Sequence, residues 1–307
     1  MPAFNNRVYG FAIIKSINSN YNADFSGQPR KLPNGKVYAT DKALKYSIRN
    51  FWRDVSSERV FYFKRLNNDM NPFDLVGLYK KVFGSEVKND DKNTILNNLL
   101  SSIDVRFFGA TFAPKGSGVD KKNISIHGPC QITHGLNRFP ENIIYTEQIM
   151  APVSTPGKEN EGDKGNTTLG TQSKLEEGHY VHHFSVNPKN IADDVARVDA
   201  EGLTSADIDK LKEGLRKGAS YYDSAAKSGT ENELLFWIQL KEGSTLVMPS
   251  FIEFVDIDQD RTIDLKKVTS YLQSEDVKND IDTVEIYYNK AVTKVVNEPE
   301  IAMQKTI

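Results

Sequence analysis

A single cysteine, Cys130, stands among 307 residues, so no intramolecular disulfide framework and no multi-cysteine zinc site holds this chain. A chain of this length buries a sizeable core without such staples, as one elaborated domain or as two smaller ones. Long apolar runs are also missing. The longest, Phe11 to Ile14 and Leu234 to Ile238, fall far short of the roughly 20 residues that a membrane-spanning helix needs. The start, Met1 to Asn6, is polar and has no apolar stretch behind a basic one, so the expectation is a cytoplasmic chain with no membrane partner. Motifs of phosphate-binding NTPases, dinucleotide-binding folds, zinc proteases and serine hydrolases are absent. No cofactor is called for, and nothing in the sequence advertises catalysis.

A surplus of one charge is lacking overall but not locally. The net charge is −2, yet residues 1–65 hold 12 Lys and Arg against 4 Asp and Glu, a surplus of +8 that leaves −10 on the rest. Such a bipolar chain suits a polyanion at one end, or head-to-tail association in which the basic part of one copy meets the acidic part of the next. An uneven surface without a partner accounts for it equally well.

Along the chain, Val8 to Ser16 reads as a strand, and Ser19 to Gly35 as a long exposed loop rich in Asn, Gly and Pro. Thr40 is an N-cap, with Asp41 in the first turn, for a helix reaching about Arg53. Arg53 to Leu100 reads as an insertion with short helices. Asp104 to Phe112 and Ile124 to Thr133 read as a strand pair. Residues 151–178 hold few large apolar groups and read as a long polar loop. Tyr180 to Val186 reads as a strand. Thr204 and Asp207 form a capping-box pair before a helix that carries Ile208, Leu211, Leu215 and Tyr222. Leu234 to Leu240 is a buried strand, and the tail from Met248 mixes strand-like pieces (FIEFV, TVEIYY) with acidic residues.

Chemistry concentrates on the helix at 41–53. Lys42, Lys45, Arg49 and Arg53 share one arc, opposite Leu44, Ile48, Phe51 and Trp52, with Tyr46 at the edge of the stripe. A row of cations beside an aromatic ring can follow a phosphate backbone and stack a base; a solvated amphipathic face is the plain alternative. Asn18, Asn20, Asn22, Arg30 and Lys31 in the preceding loop, and Gln131, His134, Asn137 and Arg138 further on, offer contacts to phosphate, sugar or base edges. His179, His182 and His183 do not read as a metal site, because His182 and His183 point to opposite faces of a strand. Asp256, Asp258, Asp260 and Asp264 follow a calcium-loop register. However, Arg261 stands where Gly makes the turn, and Lys267 where a bidentate Glu belongs.

The segments RVYGFAIIKS, the Asn-rich loop, NGKVYATDKALKYSIRNFW, DVRFFGATF and GPCQITHGLNR together resemble the seventh family of CRISPR-associated proteins. That family is the RNA-binding backbone subunit of the type I interference complex, Cascade, and the resemblance is to subtype I-B. It is carried most strongly by residues 1–55 and 104–139. Cys130 departs from the family's small or β-branched residue, and the tail beyond Met248 matches no motif.

The resemblance implies an α+β fold: an RRM-like (ferredoxin-like) antiparallel sheet palm with large insertions as fingers and thumb. The whole of 1–307 then forms one elaborated domain. Its palm is built from about 7–18, 41–53, 102–138 and 179–240, with finger insertions at about 19–40 and 54–100. The thumb loop lies at about 150–178 and a palm extension at about 246–307. The resemblance places phosphate contacts on Lys42, Lys45 and Arg49 and backbone contacts on Asn20 and Asn22. Gln131, His134 and Arg138 lie in the matching GPxQ-type segment; Met150, Thr167 and Thr168 are thumb candidates. The partners implied are CRISPR RNA, target DNA through the guide, further copies in a helical filament, and other Cascade subunits. Those subunits are the guide-processing endonuclease, the 5'-handle-binding subunit, the large subunit and the small subunit. Two alternatives stand beside this non-catalytic scaffold. One is a metal-dependent ribonuclease backbone subunit using Asp24; the other is a general single-stranded RNA-binding protein.

Overall fold

The computed structural model describes residues 2–154 and 167–307. The elements in chain order are β1 (Val8–Ser19), β2 (Tyr38–Ala39), α1 (Asp41–Asp54), α2 (Leu75–Phe83), α3 (Lys92–Leu100) and α4 (Ile103–Phe108). There follow β3 (Gly109–Phe112), β4 (Ile124–His127), β5 (Cys130–Ile132), β6 (Gly135–Asn137), β7 (Ile144–Ser154) and β8 (Thr167–Val186). Next come α5 (Ala192–Val198), α6 (Ser205–Tyr221), β9 (Thr230–Leu240), β10 (Asp256–Ile257), β11 (Thr262–Asp264) and α7 (Lys266–Leu272). The chain closes with α8 (Glu275–Lys278), β12 (Ile281–Tyr288), β13 (Lys294–Val296) and β14 (Ala302–Lys305).

This is a mixed α+β architecture around a mostly antiparallel sheet, ordered β14-β12-β9-β1-β8-β6-β2, with β5 and β7 also paired to β8. Strand β1 is central, between β8 and β9, and both of its faces are buried. Val8, Ala12 and Ile14 enter one core, while Tyr9, Phe11 and Ile13 enter another. A strand covered on both sides reads as a near-continuous apolar run, which is why 8–14 stands out in the sequence.

Helices α1 and α6 cover the first face. Thr40 Oγ1 accepts the Ala43 N–H at 3.3 Å to cap α1, and Thr204 and Asp207 make the full capping box of α6. The two helices are tied by Trp52, whose Nε1 donates to the Lys210 carbonyl at 2.9 Å. The C-terminal region covers the second face. Phe251, Val255, Ile263, Leu265 and Val268 pack on Phe11, Phe236 and Ile238, and the Phe11 and Phe236 rings stack at 5.1 Å.

Three local expectations change. Asp104 to Phe112 is not one strand: it begins as α4 and becomes β3 only at Gly109. Short aromatic runs do not distinguish helix from strand by composition. Here the buried Asp104 carboxylate, which takes the N–H groups of Phe61 at 2.7 Å and Tyr62 at 2.9 Å, holds the helical turn in place. FIEFV is likewise a short 3-10 turn, Ile252–Phe254, rather than a strand.

The polar stretch 151–178 is largely ribbon. β7 and β8 pair from Ile144↔Leu175 to Ser154↔Thr167, and residues 155–166 of the expected thumb loop lie outside the described residues. Near its base the ribbon buries Ser173 and Leu175, and β8 also pairs with β1. Residues 145–150 of β7 are mostly exposed and polar, so only a short stretch carries an apolar signal to read.

Candidate nucleic-acid interface

The start of α1 gathers the densest group of sequence candidates. The Asp41 N–H donates to His134 Nδ1 at 3.3 Å. The Asp41 carboxylate lies 3.2 Å from Lys45 Nζ and 3.8 Å from Lys42 Nζ. Burial alone would raise the Asp41 pKa, but Lys45, Lys42 and His134 outweigh it and hold the carboxyl below its usual value. The His134 ring stacks on Tyr38 at 5.4 Å. Lys42 is 85% exposed and extends into solvent, whereas Lys45 is 12% exposed.

His134 is positioned from beneath. His182 on β8 hydrogen-bonds through Nδ1 to the Thr133 carbonyl at 3.0 Å, and its Nε2 lies 3.4 Å from the Tyr21 hydroxyl. Burial pushes His182 down to about 4, so it is neutral near pH 7: Nδ1–H donates to Thr133 and Nε2 accepts from Tyr21. Gly135 crosses directly over this ring, where a Cβ would overlap Nε2.

The remaining stripe residues are engaged with neighbours, Arg49 inside the fold and Arg53 at its surface. Arg49 Nε donates to Asp104 at 3.1 Å, with the arginine 15% exposed and the carboxylate fully buried, and its guanidinium lies 5.1 Å from the Phe108 ring centre. Arg53 pairs with Asp54 at 2.6 Å and covers Phe63. Tyr46 stacks on Phe63 at 5.1 Å and meets Tyr222 edge-on; burial, followed by Tyr222, pushes its hydroxyl up to about 12.

Asn20 and Asn22 brace the loop that precedes α1. Asn20 is buried, and its amide donates to Gly27 O at 3.0 Å and Ser173 O at 3.1 Å. Asn22 Oδ1 accepts both the N–H and the hydroxyl of Thr40 at 2.9 Å, joining the loop to the helix cap. Asp24, the nuclease candidate, accepts the Ser26 N–H at 2.8 Å, the Ser26 hydroxyl at 2.7 Å and the Gln28 N–H at 3.0 Å through one oxygen. It therefore shapes a turn. No group of three metal-ligating side chains gathers among the described residues.

Gln131 is exposed on β5 and donates to Gly128 O at 2.8 Å. Arg138 bonds Val255 O at 3.0 Å, Glu253 at 2.7 Å and Asp256 at 3.1 Å, clamping the C-terminal region. Met150 is 70% exposed on β7, and Thr167 and Thr168 begin β8. The four aspartates of the calcium-like register do not converge. Asp256 pairs with Lys267 and Arg138, Asp258 accepts the Thr262 N–H, Asp264 accepts from Asn297, and Asp260 is exposed.

Two residues outside the sequence candidates also lie here: Phe25, wholly exposed beside Arg30, and Tyr38, stacked on His134. An aromatic side chain inside an Asn-, Gly- and Pro-rich basic loop was the available signal.

Among solved structures, a chain of a "CRISPR RNA-guided surveillance complex, pre-nicking" is similar in fold. Its TM-score is 0.53 at 12% identity, over 98% of this chain and 96% of that one. A chain of a "CRISPR RNA-guided surveillance complex" has a TM-score of 0.48 at 15% identity, over 95% of each. No curated protein sequence matches significantly. The family described as CRISPR-associated protein Cas7 matches residues 6–282, nearly the whole chain, and the protein belongs to that family.

Proposed function

We propose that this protein is a non-catalytic, guide-RNA-binding backbone subunit of a type I CRISPR interference complex. Family membership over residues 6–282 is the observation that carries this reading. Several copies line one CRISPR RNA as a helical filament and present it for pairing with target DNA, beside the other Cascade subunits in the cytoplasm. Sequence is read by base pairing, so the protein needs backbone and shape contacts rather than a base code. The segments that resemble subtype I-B support assignment to that subtype.

The palm in this reading is the RRM-like arrangement of β9, β1, β8 and β6 with α1 and α6 on one face. In a free-standing RRM the open sheet face stacks bases. Here Phe11 and Phe236 on that face are sealed under the C-terminal region, so RNA lies instead along the edge. The edge comprises the loop 19–40, the start of α1 with Lys42, Lys45 and His134, Gln131, and the β7–β8 ribbon with Met150, Thr167 and Thr168 as the thumb. Arg49, Tyr46, Asn20 and Asn22 support this edge from within, and Arg138 ties the strand beside it to the C-terminal region. The nuclease alternative gains nothing from Asp24, whose bonded oxygen is engaged with its own turn.

The test is co-expression with a CRISPR array and the other subunits, followed by native mass and ultraviolet absorbance. A large species holding one discrete guide-length RNA and several copies of this chain is expected. A nucleic-acid-free monomer that persists with all partners present overturns the reading.

A further inference from the structure

Phe25 is the most exposed large apolar side chain among the described residues, with its ring entirely in solvent. A lone exposed aromatic is ordinary, but this one stands on a built turn. The Asp24 N–H donates to Gln28 O at 2.8 Å. The Asp24 carboxylate ties the Ser26 and Gln28 N–H groups, and Ala23 bridges Pro29 below. The turn is also anchored to both elements of the proposed edge. Gln28 Nε2 donates to Ser173 Oγ on β8 at 2.6 Å, and Asn22 joins Thr40 at the cap of α1. The Arg30 guanidinium lies 5.9 Å from the Phe25 ring centre, and Lys31 is exposed on the same loop.

We infer that Phe25 is a nucleobase-stacking platform: one base of the single-stranded RNA lies on its ring while Arg30 and Lys31 meet the flanking phosphates. An aromatic face beside cations is the recurring arrangement for sequence-tolerant single-strand binding, because every base has a π-face. A rigid turn pays the ordering cost in advance. The basic surroundings favour nucleic acid over an apolar pocket on another protein. The inference rests on the RNA-binding reading and adds a contact on the finger loop.

The test compares the full-length protein with Phe25→Ala and Phe25→Trp on two labelled probes, an oligoadenylate and its abasic counterpart. Phe25→Ala should weaken oligoadenylate binding by about 5- to 100-fold. The dependence on salt should be unchanged, since no phosphate contact is lost. On the abasic probe it should match the parent. Phe25→Trp should bind like the parent, and its fluorescence should be quenched by oligoadenylate; Trp52 and Trp237 are buried and give a separate background. Equal affinity of parent and Phe25→Ala for oligoadenylate, with salt-dependent binding intact, overturns the stacking role alone. So does an equal loss on both probes, or a change confined to self-association. Failure of the parent to bind either probe, both alone and when assembled with all partners, removes the RNA-binding reading together with it.

Discussion

At the scale of single residues, the cations of α1 divide into solvent-facing and structural ones, and their variants should separate. Lys42→Ala should leave the fold intact and lower the slope of log affinity against log salt for single-stranded RNA by about 1 if it meets one phosphate. Lys45→Ala should weaken binding more, because Asp41 then faces the phosphate without its closest cation. Arg49→Ala should instead destabilise by about 3 kcal/mol, at the low end for breaking a buried pair, since two main-chain donors still hold Asp104. Urea unfolding beside fluorescence binding distinguishes the two behaviours.

Titration is a second test at this scale. Burial holds His182 and His183 down at about 4 against the usual 6.5. The unfolded chain binds protons in that window which the native state refuses. Stability should therefore fall as the pH drops from about 6.5 to about 4, by on the order of 1–3 kcal/mol for each residue. His179 acts in the opposite sense. Burial alone would lower it, but Glu233 and Glu177 outweigh burial and raise it. Its contribution is complete below 6.5 and is lost as the pH rises through the raised value. Urea midpoints against pH should peak near neutrality and fall on the acid side.

At the scale of elements, the α1–α6 contact depends on small residues as much as on apolar ones. A Cβ on Gly218 would sit 3.1 Å from the Ser47 carbonyl oxygen and 3.2 Å from the Ile48 nitrogen, both main-chain atoms that cannot swing away. Gly218→Val should destabilise by about 1–3 kcal/mol through overpacking, although valine has the better intrinsic helix propensity. A lowered urea midpoint with an unchanged slope is the expected result. The periodicity of Ile208, Leu211 and Leu215 reveals this helix in the sequence, but Gly218 reads there only as a weak helix former. Its reason is the neighbouring backbone, which no local pattern contains. The β7–β8 ribbon is faint in the sequence for a related reason: its mostly exposed β7 carries no apolar period, and Ser173 is buried by distant partners such as Asn20 and Gln28.

For the whole molecule, the sheet separates two cores, and the C-terminal region completes the second. Phe251 is fully buried there and packs against Phe11, Phe254 and Tyr271. Phe251→Ala should cost about 3–5 kcal/mol, read as a lower thermal midpoint. Loss on that scale would show that 246–307 is integral to the sheet rather than an appendage. The covering also moves the proposed RNA path from the sheet face to its edge, where the loop 19–40, the start of α1 and the ribbon converge.

Elements whose signal is local are legible in the residues alone. These are the doubly apolar β1, the capped amphipathic α1, the capping box of α6, the short helices of 54–100 and the basic N-terminal part. Its combined motifs were also enough to indicate the family. Which cations remain in solvent depends on the folded arrangement. Arg49 and Arg138 look on paper like Lys42, but Asp104 is 55 positions from Arg49 and Asp256 is 118 from Arg138. A charged side chain is consumed or presented according to what the fold brings beside it. Long-range proximity of that kind leaves no trace in the spacing of neighbouring residues.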